Sequence, residues 1–272
     1  MRSCGFRFPV AGSASLALMA AALFVLVPIA VSSDQGEEAA NRDVLLASGE
    51  WPPYAGPSLP GYGCDSRVIT ESFALAGIHV QYTFLPWARG LLLSRNGLVD
   101  GTFEWENTEE QRKNHFVSSE PVSRQEWVLF QRRETSVNWR WVEDLRHLRI
   151  GLTIGYIYSE AFKAMQAKYP ATFTRAPSDL LNFRMLLNHR IDLFPMERSV
   201  GQYLLKTNFT PGEQAALVIH SKPLCEFTPH LLLSRAVAGN ERRIRLFDQG
   251  IRQLRASGRY REIMAACSSE NP

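Results

Sequence analysis

The stretch DGTFEWENTEEQR, residues 100–112, concentrates groups able to recognise a small polar molecule. Glu104 and Glu106 stand beside Phe103, Trp105 and Asn107, and the indole of Trp105 offers a face to a cation. A bulky, acidic loop of this kind shrinks a pocket or favours a positively charged group. Arg112 closes the run; a guanidinium is a planar fork that fits a carboxylate through two parallel hydrogen bonds. On an exposed helix the same residue would pair with Glu109 or Glu110 instead. Glu197, followed by Arg198, and Glu104 are acids that burial would turn into proton donors; a surface Glu197 bonded to Arg198 is the plainer alternative. Gly155-Tyr156-Ile157 follows a strand-like run, and free amides at a helix start suit an anion. An ordinary strand-to-helix turn reads the same way. Trp51 and Tyr54 lie in a loop stiffened by Pro52 and Pro53, which lowers the cost of ordering their rings around a ligand. Trp87 reads more readily as a core anchor than as a contact.

Several chemistries are absent. No G-x-S-x-G occurs, and no Ser-His-Asp or Cys-His pairing is evident in the sequence. GLTIG lacks the following Lys-Ser/Thr of a phosphate-binding loop. The six histidines are isolated and no C-x-x-C occurs, so neither a metal nor a cofactor is expected. The formal charge is +3 with scattered basic residues, a distribution that does not track a nucleic-acid backbone.

The elements that must position these groups alternate. VLLAS at 44–48 reads as a buried strand, and the proline- and glycine-rich GEWPPYAGPSLPGYG forces a loop. Helical spacing runs from Asp65 to Ala76 and stops at Gly77, IHVQYTFL alternates as a strand, residues 87–95 are helical, and LVDGTF returns to strand. The pattern restarts with a short helix in WVEDLRHL, a strand at 148–153, a helix opening near Tyr156, a helix at 178–188, a strand in HRIDLFPM and a helix through 198–206. HLLLSR is a further strand, and a long amphipathic helix over 240–267 breaks near Gly258. This order predicts an α/β fold of two unequal units, each a mostly parallel sheet flanked by helices.

Residues 1–32 read as an export signal: Arg2 and Arg7, then an apolar run from Ser15 to Val31, then small residues before an acidic stretch. An uncleaved anchor is the alternative, the run being only slightly short of a span. Export permits disulfides. Of the mature chain's Cys64, Cys225 and Cys267, one pair at most can bridge within the chain.

The order of landmarks resembles the extracellular solute-binding proteins of the family-3 type, which serve transporters of polar amino acids and similar compounds. The resemblance runs from about Val44 to Ala266. It rests on GEWPPY, GYGCDSRVITESFALAGIHVQY, TEEQRKNHFVSSEPV, WVEDLRHLRIGLTIGYIY, HRIDLFPMERSVGQYLL and FDQGIRQLRASGRYREIM in succession. It implies the two-lobed periplasmic-binding-protein fold of type II, with a discontinuous first lobe, residues 44–130 plus 222–267, and a second lobe at 131–221. The hinge crossings would fall at VLFQRR and VIHSKP. It implies that Arg112 holds a ligand carboxylate, although TEEQR is one residue longer than the family's T-P-E-R. Glu197 stands where the family has an Asp for the ligand's ammonium, while Trp51 and Tyr54 would wall the ligand and Tyr156-Ile157 would cap it. Phe103–Asn107 replaces the family's small and hydroxyl residues, which puts an ordinary amino-acid ligand in question.

In such lobes Cys225 and Cys267 would both lie in the first and could bridge, leaving Cys64 free. The implied protein is a periplasmic monomer and not an enzyme; it binds a small polar ligand and delivers it to an ABC-type membrane permease. A receptor partner is the alternative, and a small-carboxylate lyase using the same cleft is a further one.

Overall fold

The computed structural model describes residues 43–156 and 158–269, with side chains through Ala266. Its first sheet has the order β2-β1-β3-β11-β4. The strands are β1 (Val44–Ser48), β2 (Val80–Phe84), β3 (Gly101–Trp105), β4 (His115–Val117) and β11 (His230–Ser234). β1 is flanked on both sides by parallel neighbours, which is why VLLAS is apolar almost without interruption. Helices α1 (Cys64–Ala74) and α2 (Trp87–Arg95) supply the crossovers between parallel strands, and the short α3 (Glu109–Asn114) leads into β4. The returning β11 pairs antiparallel with β3 and β4.

The second sheet has the order β10-β5-β8-β6-β7, with β9 also on β5. Its strands are β5 (Gln125–Arg132), β6 (Ile150–Thr153), β7 (Phe173–Ala176), β8 (Leu193–Glu197), β9 (Leu217–Ile219) and β10 (Cys225–Phe227). Around them run α4 (Glu160–Lys168), α5 (Asp179–Leu187), α6 (Arg198–Asn208) and α7 (Pro211–Ala216). Pairing is parallel along β8-β6-β7 and antiparallel where β5 meets β8, β9 and β10. The expected two-unit α/β architecture is thus present, with mixed sheets. The antiparallel strands are those next to the two passages between sheets.

Those passages lie slightly outside the expected ones. VLFQRR pairs with β8 inside the second sheet, and Leu217–Ile219 pairs with β5. The chain leaves the first sheet after β4 and returns between β10 and β11.

The closing helices α8 (Asn240–Ser257) and α9 (Arg259–Ser269) break at Gly258, whose φ is +86°; glycine adopts that left-handed conformation without steric cost. α8 is fastened by a buried ion pair, Arg243 Nη1 to Asp100 Oδ1 at 3.3 Å. Asp100 Oδ2 in turn accepts the Leu45 amide at 2.9 Å, so one carboxylate ties β1, the entry to β3 and α8 together. α8 lies directly on α1: a Cβ at Gly250 would fall 2.1 Å from the Ser72 carbonyl oxygen. Gly250→Ala should therefore cost about 1–3 kcal/mol through overpacking, read by urea unfolding of the protein. An unchanged midpoint would show that the two helices separate freely.

Candidate functional site

The loop after β1 is a compact hairpin-like knot. Trp51 N donates to Ala55 O at 2.7 Å and Ala55 N returns to Trp51 O at 3.1 Å. The start of α1 clamps it, Cys64 N donating to Pro53 O at 3.1 Å and Asp65 N to Tyr54 O at 3.0 Å. Only glycine fits at position 63: φ is +95°, and a Cβ there would sit 2.5 Å from Tyr54 O. Held this way, Trp51 and Tyr54 belong by chain to the first sheet but pack into the apolar cluster of the second.

Their partners come from β5, β8 and the turn after β6. Trp51 stacks on Trp127 with centroids 6.2 Å apart and meets the edge of Tyr156 at 5.9 Å. Trp127 also meets Tyr158 at 6.2 Å. Trp51 Nε1 donates to Gln125 Oε1 at 3.2 Å, and Gln125 Nε2 donates to Glu104 Oε2 at 2.8 Å. Tyr54 Oη donates to Glu197 Oε1 at 3.1 Å. Glu197 is at the end of β8, where its Oε2 caps α6 by accepting the Val200 amide at 2.7 Å.

The electrostatics are set by burial. Glu197, 1% exposed, has its carboxyl pushed up to about 7 by desolvation, against the acceptor bonds from Val200 and Tyr54 that favour its charge. Burial, and then the neighbouring Glu197 charge, lifts the Tyr54 phenol well above the usual range. Burial also raises Glu104 well above a normal carboxyl and raises Asp65. Tyr156 Oη donates to Asp179 Oδ2 at 2.7 Å, and burial raises Asp179 as well.

Of the residues singled out from sequence, Trp51, Tyr54, Glu104, Glu197 and Tyr156 come together here. Trp105 is buried elsewhere: it meets the edge of Trp87 at 6.0 Å, packs with Leu91 and Leu232, and donates Nε1 to Thr102 Oγ1 at 3.0 Å. Arg112 is exposed on α3, its Nη1 bonded to the Asn107 side chain and its backbone carbonyl accepting from Arg235. Asn107, not Glu109 or Glu110, is the partner: it immediately precedes the Thr108 cap, and its backbone carbonyl also accepts from Arg112 Nη1 at 3.4 Å.

Ile157 lies outside the described residues. The helix expected near Tyr156 opens at Glu160, with Ser159 Oγ accepting the Phe162 amide at 3.4 Å; a serine hydroxyl is the better cap. The Tyr156 amide itself donates to Thr153 O. Cys64 and Cys225 each take part in a disulfide, and no described cysteine is free, so Cys64 is not the spare thiol expected from sequence. The side chain of Cys267 lies outside the described residues.

Asp65, Ser123, Gln125, Trp127, Tyr158 and Asp179 were not foreseen. Period-two alternation in QEWVLF puts Gln125, Trp127 and Leu129 on one strand face, a signal that was there to read. Nothing in the sequence marks Asp65 as buried.

Among the described residues no group of His, Cys, Asp and Glu is arranged to hold a metal, and no helix is long and apolar enough to cross a membrane.

The arrangement of two mixed sheets joined by two passages is that of the periplasmic-binding-protein fold. Solved structures similar to this chain include a histidine kinase sensor domain with similarity to periplasmic binding proteins. Its TM-score is 0.64 at 17% identity, over 82% of this chain and 95% of that one. An ancestral arginine-binding protein bound to arginine has a TM-score of 0.61 at 15% identity, over 82% and 97%. An amino acid ABC transporter substrate-binding protein from Streptococcus pneumoniae, bound to L-arginine, has 0.61 at 13%, over 88% and 98%. No family model and no curated protein matches the chain. At these identities the likeness is one of fold.

A raised acid stabilises the fold fully below its unfolded pKa and loses that contribution as pH rises through the folded value. For Glu197 the window runs from 4.5 to about 7. Comparing wild type with Glu197→Gln by urea unfolding, the wild type's relative stability should fall by about 3 kcal/mol between pH ~4 and pH ~8. Parallel pH profiles for the two proteins would show that Glu197 ionises normally.

Proposed function

We propose that the protein is an exported solute-binding protein that closes two lobes over a small polar molecule bearing an ammonium or guanidinium group, an amino acid or a related compound. The lobes are residues 44–130 with 222–267, and 131–221, the inner ends of the first contributing β5 and β10 to the second sheet. The carrying observation is the meeting of Trp51 and Tyr54 with Trp127, Tyr156 and Glu197, which joins side chains borne by the two sheets in one aromatic and acidic enclosure. Aromatic walls and a carboxylate are what a small cation requires. Glu104 adds a second acid nearby, bonded through Gln125 to Trp51.

Arg112 enters by giving up Asn107 for a ligand carboxylate as the lobes close. The arginine- and L-arginine-bound relatives support the choice of ligand class. Removal of residues 1–32 on export, a periplasmic location, a monomeric state and delivery to an ABC-type permease complete the reading. The sensor-domain relative favours one second reading, in which the closed form docks on a membrane receptor.

The test is thermal unfolding of the mature chain with arginine, agmatine, glutamine and small carboxylates. A ligand at a hundredfold excess over Kd adds about 2.7 kcal/mol, a shift of several degrees. The shift should vanish in Trp51→Ala and Glu197→Gln. Arg112→Ala should weaken arginine binding and leave agmatine, which has no carboxylate, unchanged. A shift with carboxylates alone, or with none of the set, would sink the cation reading.

Binding should also depend on pH. A cation prefers the ionised Glu197, so its affinity should rise with pH through about 7 and release a proton on binding. Calorimetry in two buffers of different ionisation enthalpy reads that proton directly.

A further inference from the structure

Asp65 and Glu104 meet where three segments converge: the first turn of α1, the end of β3 and the passage that enters β5. Both side chains are fully enclosed, at 0% and 2% exposure. Each gives one oxygen to the passage. Ser123 Oγ donates to Asp65 Oδ2 at 2.6 Å, and Gln125 Nε2 donates to Glu104 Oε2 at 2.8 Å. Among the described residues the remaining oxygens, Asp65 Oδ1 and Glu104 Oε1, receive no N–H or O–H from any other group. The two carboxyl groups lie close enough to share a hydrogen bond. Two carboxylates have no donor between them, so that bond requires a proton on one of the pair.

We propose that Asp65 and Glu104 hold a single proton between them, one as a carboxylic acid donating to the other's carboxylate, and that this proton fastens the passage to the first sheet and keeps the cleft shut. Among the described residues no cation is counted among the groups acting on the pair. The titratable groups acting on the pair are the phenols of Tyr54 in the loop, Tyr82 on β2 and Tyr260 on α9, and the carboxyl of Glu197 on β8. Losing the proton would leave two adjacent, desolvated negative charges, which a protein interior does not tolerate unpaired.

Glu104 is also held at φ +67°, a left-handed conformation that a residue with a Cβ adopts at a cost. Its surroundings therefore dictate where its carboxyl goes. When the pair ionises, repulsion drives the two carboxylates apart and carries the acceptors of Ser123 and Gln125 from their fixed positions. Gln125 also accepts from Trp51, so the release reaches the Trp51–Trp127 stack. Burial raises both acids, which moves the loss above the usual carboxyl range: closure is present at low pH and is given up as pH rises.

The proton pair does not depend on any ligand; only its consequence for the cleft rests on the two-lobe reading. The test uses the mature chain without ligand, in a Glu197→Gln, Asp179→Asn background that removes the other two raised acids described at the cleft. Difference infrared spectra should show a carboxylic-acid C=O band at neutral pH that shifts in D2O. Both Asp65→Asn and Glu104→Gln should abolish it. Small-angle scattering over the same upward pH titration should show the parent expanding as the band disappears, while Glu104→Gln, which keeps an amide donor for Asp65, stays compact.

No band at neutral pH, or one that survives both substitutions, overturns the shared proton. A band that titrates without expansion overturns the lock and leaves the pair. If neither variant folds, the parent alone decides, through coincidence or separation of band loss and expansion.

Discussion

A carboxyl group taken out of water must be paired, capped or protonated, and the join between the two sheets is built around groups under that constraint. Glu197 meets it by capping α6 and accepting from Tyr54. Asp65 and Glu104 meet it with each other and with the passage into β5. Each solution recruits a partner from a different element, so satisfying the acids fixes the relative placement of α1, β3, β5 and β8. The contrast is Asp100, equally buried, which is satisfied by Arg243 and by the Leu45 amide. That pair lies within the first sheet and its closing helix and organises them; among the described residues the acids at the join have no such cation as a hydrogen-bond partner.

The aromatic groups complete what the acids begin. Trp51 and Tyr54 reach the second sheet because Gly63 lets the start of α1 clamp the loop that carries them. Once there, Trp51 has both an apolar surface, Trp127, and a polar handle, Gln125. An indole needs both when it is buried. The same Gln125 then orients Glu104, so the ring stack and the carboxyl pair are one connected unit and not two neighbouring ones.

Much of this was legible in the sequence where periodicity speaks. The strand at Val44–Ser48, the helix at Trp87–Arg95, the helix at Asp179–Leu187 and the break at Gly258 all follow from apolar spacing and glycine placement. Trp51 and Tyr54 stood out because they lie in a proline-stiffened loop, and Glu197 because it stands where the resembling family carries an Asp. What failed to show is tertiary in origin. Asp65 reads as a favourable acidic residue in a first helical turn, and only the approach of β3 makes it buried. Arg112 sits where spacing suggests a ligand clamp, yet Asn107, five residues back, is near enough to hold it. The passages between sheets were misplaced because an extended hinge and an antiparallel edge strand have the same local pattern.

The interdigitated rings have a thermodynamic consequence for anything that enters. With Tyr54 bonded to Glu197 and Trp51 laid on Trp127, the protein's own side chains would, on the proposed reading, act as a tethered competitor for the enclosure. An incoming molecule meets a vacant site only in the fraction of chains in which they have swung away. Its measured dissociation constant is the intrinsic one divided by that fraction. Loosening the self-contact would thus tighten binding without adding a single contact to the guest, and selectivity would fall to guests able to outbid a phenol and an indole.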